Sequence, residues 1–365
     1  MPKLSRPFIY LFRQKLGNNL SNKLNKSILA DAKSGNSKSV SKKENIKTFV
    51  RGLLDISPIF FSNETLKIID HFKPDVIYTM GSTISVLKTA RFLSKRYDSK
   101  IVLHFMDNWR ETLYSNSKLM RPFKITLNRW IEKVENSNFS GLVISNKMAR
   151  EYTKLSNKKY YTLMNCVQDV PYKNPTTNQN QTRIFTYTGG LHLNRWKELV
   201  LMEKCLRELK ENGQQVKLYI YTSRNDKEKY SDLFNEDITV FKDYLPHNKV
   251  YLAYKEADIL VHIESFEPDI VQFTKYSLST KIPEYMSSGR PILCLAPSTL
   301  AVSEYINEVK AGIAVGNYND LLCASKRLVN DIDYRVECGM NGIETVLRSH
   351  TVTKANDLLL QVFSD

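Results

Sequence analysis

The chain has 365 residues, 42% hydrophobic and 25% charged, with a net charge of +15, which is too long for one comfortable core and sets two domains as the expectation. Cys166, Cys205, Cys294, Cys323 and Cys338 are odd in number and form no C-x-x-C pair, which argues against a disulfide framework or thiolate zinc site and fits a cytoplasmic protein. No apolar run approaches the ~20 residues of a membrane span, and Arg13 and Lys15 interrupt any signal-peptide core.

Most of the charge sits at one end. Residues 1–51 hold twelve Lys or Arg against only Asp31 and Glu44. Leu4, Phe8, Leu11, Phe12, Leu16, Leu20 and Leu24 recur near helical spacing between basic residues. That pattern suits either a surface helix packed on its own domain or a helix lying on an anionic membrane, peripheral on the inner face of the cytoplasmic membrane. Residues 31–47 are rich in Lys, Ser and Asn and read as a mobile loop.

From residue 65 the pattern is regular. Residues 75–80 read as a buried strand, 85–97 as a helix and 100–106 as the next strand. A long helix follows, with Leu119, Phe123, Leu127, Trp130, Ile131 and Val134 on one face. A strand at 141–145, another helix and a strand at 160–163 complete this half. Residues 165–182 break the rhythm with Asn, Pro, Thr and Gln and read as a linker. Strands at 184–188, 216–221, 238–241, 258–263 and 292–295 follow, with helices near 194–209 and 280–288. Helical segments near 318–332 and 350–363 close the chain. The alternation predicts an α/β protein with two Rossmann-like, doubly wound parallel sheets facing a cleft. The expected divisions are a basic segment over 1–50, one domain over 51–170, a second over 171–349, and a helix over 350–365 that returns to the first.

Three stretches carry candidate chemistry. In Ser279-Thr-Lys-Ile-Pro-Glu-Tyr-Met-Ser-Ser-Gly-Arg-Pro-Ile292, Pro283 suits a first helical turn. Free backbone groups around Ser279, Thr280 and Ile282, the helix dipole and Lys281 together form an anion site. Glu284, one turn on, would be repelled by a phosphate unless it accepts from hydroxyls, which the diol of a ribose supplies. The plain alternative is an amphipathic helix with a surface Lys–Glu pair. In the second stretch, residues 185–199, a strand runs into Gly189–Gly190 and then a helix bearing Arg195 and Lys197 on its first turn. Glycines there let the backbone approach a phosphate, although a lone Gly-Gly also serves as an ordinary strand–helix turn. In the third, residues 102–111, an apolar strand containing His104 ends in Asp107, Asn108 and Trp109. Trp109 offers a stacking face for a sugar and Asp107 an acceptor for hydroxyls, while His104 alone suits a satisfied core position.

In this order the motifs resemble those of GT-B glycosyltransferases of the family 4 (group 1) type, of the kind that builds bacterial surface polysaccharides, over roughly residues 70–365. The resemblance implies a retaining, metal-independent hexosyltransferase with no cofactor, taking a nucleoside-diphosphate sugar as donor and a glycan or lipid-linked acceptor. By it, Glu284 binds the ribose, Arg195 and Lys281, with Lys197, hold the diphosphate, and Gly189 and Gly190 admit the donor. Backbone near Tyr244 and Leu245 touches the base, Asp107 joins Arg195 and Lys281 in catalysis, and His104, Asn108 and Trp109 line the acceptor side. Asn165 resembles the Asn of the linker that enters the second domain. The sequence departs from the family in placing Tyr276 where a sugar-binding glutamate is common, with Glu264, Glu267 or Asp269 as substitutes. Met106 also stands where many relatives have His, and residues 1–30 show no opening strand with a glycine-rich loop. These departures keep two rivals in view: a catalytically weakened partner subunit, and a UDP-sugar 2-epimerase of the same fold. Nucleic acid is not an expected partner, because the basic segment lacks interleaved aromatics after residue 12.

Overall fold

The computed structural model describes residues 42–57, 61–115, 117–168, 170 and 181–365. Most of the basic segment, including its apolar heptad-like face, and the central part of the linker lie outside the described residues. Among the described residues ten strands form two sheets, both wholly parallel.

The first sheet contains β1 (Val76–Met80), β2 (Lys100–Phe105), β3 (Phe139–Val143) and β4 (Tyr160–Thr162), in the spatial order 1-2-3-4. Its strands are apolar because both faces are covered. Ile101, Leu103, Phe105 and Val143 pack against the helices Ile84–Tyr97, Arg121–Glu135 and Asn146–Ser156. Val102 and Leu142, on the opposite face, meet Leu358, Leu359 and Val362 of the last helix, Val352–Ser364. Lys100 Nζ also donates to the Val362 carbonyl at 2.6 Å. β1 forms an open edge, with Tyr78 and Met80 exposed. Among the described residues this sheet steps one way only, so it has no point where the strand order reverses.

The second sheet does have one. Its order is β10-β9-β8-β5-β6-β7, built from β5 (Arg183–Thr188), β6 (Val216–Tyr221), β7 (Thr239–Lys242), β8 (Ile259–Ile263), β9 (Ile292–Leu295) and β10 (Gly312–Val315). The chain turns from one flank to the other between the adjacent strands β5 and β8. Ligands collect at the carboxyl ends of strands at such a reversal. One face is packed by Leu199, Met202, Leu206 and Leu209 of helix Arg195–Glu211, the other by Ile282, Tyr285 and Met286 of helix Lys281–Ser287.

Two crossings join the sheets, and they lie side by side. The Val167 N–H donates to the His350 carbonyl at 2.8 Å. Buried His350 bridges the Asn165 carbonyl through Nδ1 at 2.8 Å and the Tyr305 hydroxyl through Nε2 at 2.6 Å. Ser145 Oγ donates to the Tyr276 carbonyl at 2.7 Å, and Arg150 Nη2 meets Glu304 Oε2 at 2.7 Å, across the same boundary.

Several details differ from the reading of the sequence. Helix Lys42–Ile56 begins inside the stretch expected to be a loop, and Phe49 anchors it edge-on to Phe123 with ring centroids 5.5 Å apart. Leu119 does not join the buried stripe of the next helix. It sits exposed in a short 3-10 turn, and Met120 takes the buried position. The C-terminal helices number three, because Ile332–Ser349 forms an 18-residue helix between the two expected.

Candidate active site

The strand reversal gathers the charged residues. β5 runs into Gly189–Gly190, and β8 runs into Glu264. Gly189 has φ +143°, which a side chain rarely adopts, and a Cβ there would stand 2.0 Å from Lys281 Nζ and push that flexible amine aside. Tyr187 OH donates to the Gly190 carbonyl at 2.8 Å and fixes the turn.

Arg195, on the first turn of its helix, does not stand free. Its Nη2 donates to both oxygens of Glu264 at 2.9 Å, and Nε reaches Oε2 at 3.3 Å. Burial pushes the Glu264 carboxyl up, but the adjacent Arg195 and His262 outweigh it and hold the acid at about 2. His262 Nε2 lies 3.2 Å from Glu264 Oε1. The pair is thus neutralised internally and ordered by a fork geometry that suits a planar guanidinium.

Lys281 has no such partner. Its Nζ makes no ion pair with a described residue and lies 5.6 Å from the Tyr187 ring centroid. Burial, then the nearby positive charge of Arg195, lower its amine to about 8. An ammonium in this setting is stabilised by any anion that enters. One turn on, Glu284 accepts from Tyr254 OH at 2.9 Å and meets His247 Nε2 at 3.1 Å. Lys281 and Glu284 line a cavity of about 450 Å³ together with Gly189, Gly190, Thr280, Tyr244 and Leu245.

A second cavity, of about 420 Å³, opens between the two sheets. His104, Asp107, Leu163, Met164 and Leu278 line it, and Thr280 borders both cavities. His104 Nδ1 shares a 2.7 Å hydrogen bond with Tyr78 OH, and the buried Nε2 has no hydrogen-bond partner among the described residues. Burial lowers the basicity of this imidazole. Asp107 is open to the cleft, yet the surrounding protein displaces enough water to raise its carboxyl to about 6.

Around the first cavity the structure therefore assembles Lys281, Glu284, Gly189, Gly190, Thr280, Tyr244 and Leu245, and around the second His104 and Asp107. Other candidates lie elsewhere. Lys197 turns outward to an ion pair with Glu267, and Ile282 is core. Ser279 is bonded from its Oγ to the Lys281 backbone N–H at 3.4 Å. Asn108 is buried, with Nδ2 on Glu111 at 2.8 Å and Oδ1 accepting from Tyr152 OH at 3.2 Å. Trp109 packs against Phe105, with ring centroids 6.1 Å apart. Tyr276 is buried in the core of the first sheet, 6.2 Å from Tyr152 between centroids, and does not line the first cavity. Tyr254 and His247, which hold Glu284, carry no sequence signal because the contact exists only after folding. The alternation His262-Ile-Glu264 at a strand end is the one visible sign of the buried charge cluster.

Residues 182–331 match the family model of the glycosyl transferases group 1. No curated protein matches the sequence. Among solved structures, a variant of TarM from S. aureus in complex with fondaparinux, alpha-GlcNAc-glycerol and UDP is similar at 16% identity and a TM-score of 0.56, over 84% of this chain and 60% of that one. The chain therefore spans about three fifths of TarM. Sucrose-phosphate synthase from Thermosynechococcus elongatus is similar at 14% identity and a TM-score of 0.57, over 91% and 82%. The lipopolysaccharide outer core galactosyltransferase WaaB is similar at 15% and 0.57, over 88% and 82%. The chain thus has the GT-B fold, and its residues 182–331 match the model of the glycosyl transferases group 1.

Proposed function

We propose that this protein transfers a sugar from a nucleoside-diphosphate donor, held in the cavity at the β5/β8 reversal, to a hydroxyl of an acceptor held in the second cavity. The observation that carries this reading is that Thr280 lines both cavities, with Lys281, a half-buried ammonium that makes no ion pair among the described residues, on the donor side. Glu284 accepts from the ribose hydroxyls, taking the place that His247 and Tyr254 partly fill. As the bond between the anomeric carbon and the diphosphate oxygen breaks, negative charge grows on that oxygen. Lys281, the Gly189–Gly190 backbone and the start of the Lys281 helix stabilise it without reorganising. Arg195, its charge balanced by Glu264, keeps the ends of β5 and β8 together next to this cavity. The acceptor oxygen bonds to the anomeric carbon from the side the diphosphate leaves, so configuration is retained, and its proton passes to the leaving phosphate. Asp107 orients the acceptor hydroxyl.

This scheme assigns no metal. Among the described residues no group of three His, Cys, Asp or Glu is placed to hold one, and no helix is long and apolar enough to cross a membrane. A role in surface polysaccharide synthesis, with the basic residues 1–51 drawn to an anionic membrane face, completes the proposal. Calorimetric titration with UDP, GDP, dTDP and CMP without added metal tests it. Selective binding of one diphosphate is expected, and failure of all four to bind overturns it.

A further inference from the structure

We propose that the protein has a further ligand site, apart from both cavities, which holds a stretch of anionic polysaccharide by its carboxylate, sulfate or phosphodiester groups. It lies on the side of the first sheet away from the last helix, where the helices Ile84–Tyr97 and Arg121–Glu135 meet. Their inner faces pack Ile84, Leu87, Leu127 and Ile131 into the core of that sheet. Their outer faces form a recess of about 500 Å³, lined by Lys88, Arg91, Phe92 and Lys95 from one helix and by Trp130 and Lys133 from the other. None of these residues lines the first or the second cavity.

Charge sets this recess apart. Four cations surround it, and no carboxylate stands among its described walls. Glu132, next to Lys133 in the chain, lines a different recess with Glu111 and Glu135. Arg91, Lys95 and Lys133 make no ion pair with a described residue, whereas the adjacent Arg96 is paired with Asp70 at 2.8 Å. Lys88 donates to the Ile56 carbonyl, at the end of the Lys42–Ile56 helix. This clustering costs stability, because Lys88, Arg91 and Lys95 follow one another at three and four residues, the spacings at which like charges on a helix repel. The negative helix ends favour Lys95 and Lys133, which stand in or beside the last turns, but not Lys88 and Arg91 further back. An anion in the recess removes the repulsion among all four.

Spacing and shape select the kind of anion. Lys88 and Lys95 are separated by about 10 Å along the helix axis, wider than a single phosphate or carboxylate, so a ligand that meets all four cations carries repeated charges. Trp130 is half-buried, with Lys133 Nζ 4.5 Å and Lys88 Nζ 5.7 Å from its ring centroid. Phe92 is 46% exposed and stacks on Phe61. These rings give the apolar face of a sugar a surface to lie on between the charged groups. A bilayer surface does not enter a recess between two helices. Single-stranded nucleic acid is held by a succession of aromatic platforms, and two rings, one of them half-buried, do not make one.

Dextran, carboxymethyl-dextran and dextran sulfate of equal length test the site, because they share a backbone and differ in charge. Their binding to the full chain is read by fluorescence anisotropy of the labelled polymers. The two charged dextrans should bind, more weakly as salt rises, and neutral dextran should not. Arg91→Glu with Lys95→Glu should weaken the charged dextrans by about tenfold or more, and the milder Arg91→Gln with Lys95→Gln should weaken them in the same order. Lys326→Glu with Lys354→Glu, two exposed lysines elsewhere, makes the same change in net charge and should leave binding as it was. Equal losses in both reversed variants overturn the inference, since the whole positive surface would then be responsible. Binding of neutral dextran as tight as that of the charged forms, or no binding of either charged form, also overturns it. If the Arg91 and Lys95 reversal instead abolishes binding of a thymidine oligonucleotide or of phosphatidylglycerol vesicles, while charged dextrans do not bind, the recess serves a nucleic acid or a bilayer and the polysaccharide assignment falls.

Discussion

Lys281→Met is the most informative substitution, because stability and binding should move in opposite directions. Carrying an amine from 10.5 down to about 8 means the folded chain pays roughly 3 kcal/mol to keep Lys281 charged. Below pH 8 both folded and unfolded chains carry the proton, and the full cost is present. Between pH 8 and 10.5 the folded chain releases its proton first, so the native protein gains stability as pH rises through that window. Methionine fills the same channel beside Gly189 without a charge. The variant should therefore be more stable than the parent by up to about 3 kcal/mol at pH 7, and the difference should vanish by about pH 10.5. Diphosphate affinity should fall about ten- to 150-fold, the worth of one hydrogen bond to a charged group. Thermal melts at pH 7 and 10 read the first effect and calorimetry the second. In the parent at pH 8, binding should draw about half a proton per nucleotide from the buffer, seen as a dependence on buffer ionisation enthalpy. A variant that melts lower at pH 7 and binds nucleotide as before would refute the assignment and make Lys281 a structural residue.

Other expectations follow from the same geometry. Arg195→Ala strands a buried carboxylate and should destabilise the fold by about 3–5 kcal/mol, measured by chemical denaturation. Because the Glu264 carboxyl is held at about 2, its contribution in the parent is complete above about pH 4.5 and should be lost as pH falls toward 2, which an acid titration of stability checks. Glu284→Ala should abolish sugar transfer while leaving stability within about 2 kcal/mol, since it removes only its hydrogen bonds with Tyr254 and His247. Gly189→Ala should displace the Lys281 amine and reproduce the binding loss of Lys281→Met, without its gain in stability.

Local pattern made much of this molecule legible. Continuous apolar runs marked the strands, because both sheets are covered on both faces, and the lysine–proline–glutamate helix start marked a helix that lines the first cavity. What escaped was long-range or atypical. The helix Ile332–Ser349 holds Gly339 and Gly342, which weaken a helical reading. Gly342 earns its place only in three dimensions, where a Cβ would stand 3.3 Å from the Met286 backbone. Arg195 read as a free phosphate ligand because its partner Glu264 lies far away in the chain and meets it only through the adjacency of β5 and β8. Tyr276 read as a lost sugar contact, whereas its ring belongs to the packing of the other domain. Exposed Lys197 and buried Asn108 could not be sorted from their neighbours by residue type.

The last helix has a consequence for how the protein is made. Val352–Ser364 is the cover for one face of a sheet whose strands end near residue 162. During synthesis the strands of that sheet leave the ribosome well before this helix, so Val102 and Leu142 stay uncovered until its thirteen residues emerge. The second sheet, whose packing lies mostly between residues 183 and 349, can close earlier. The sheet made first is thus completed after the second, and a ribosome that stalls near residue 350 would release a chain with its second sheet packed and one face of its first sheet still bare to chaperones.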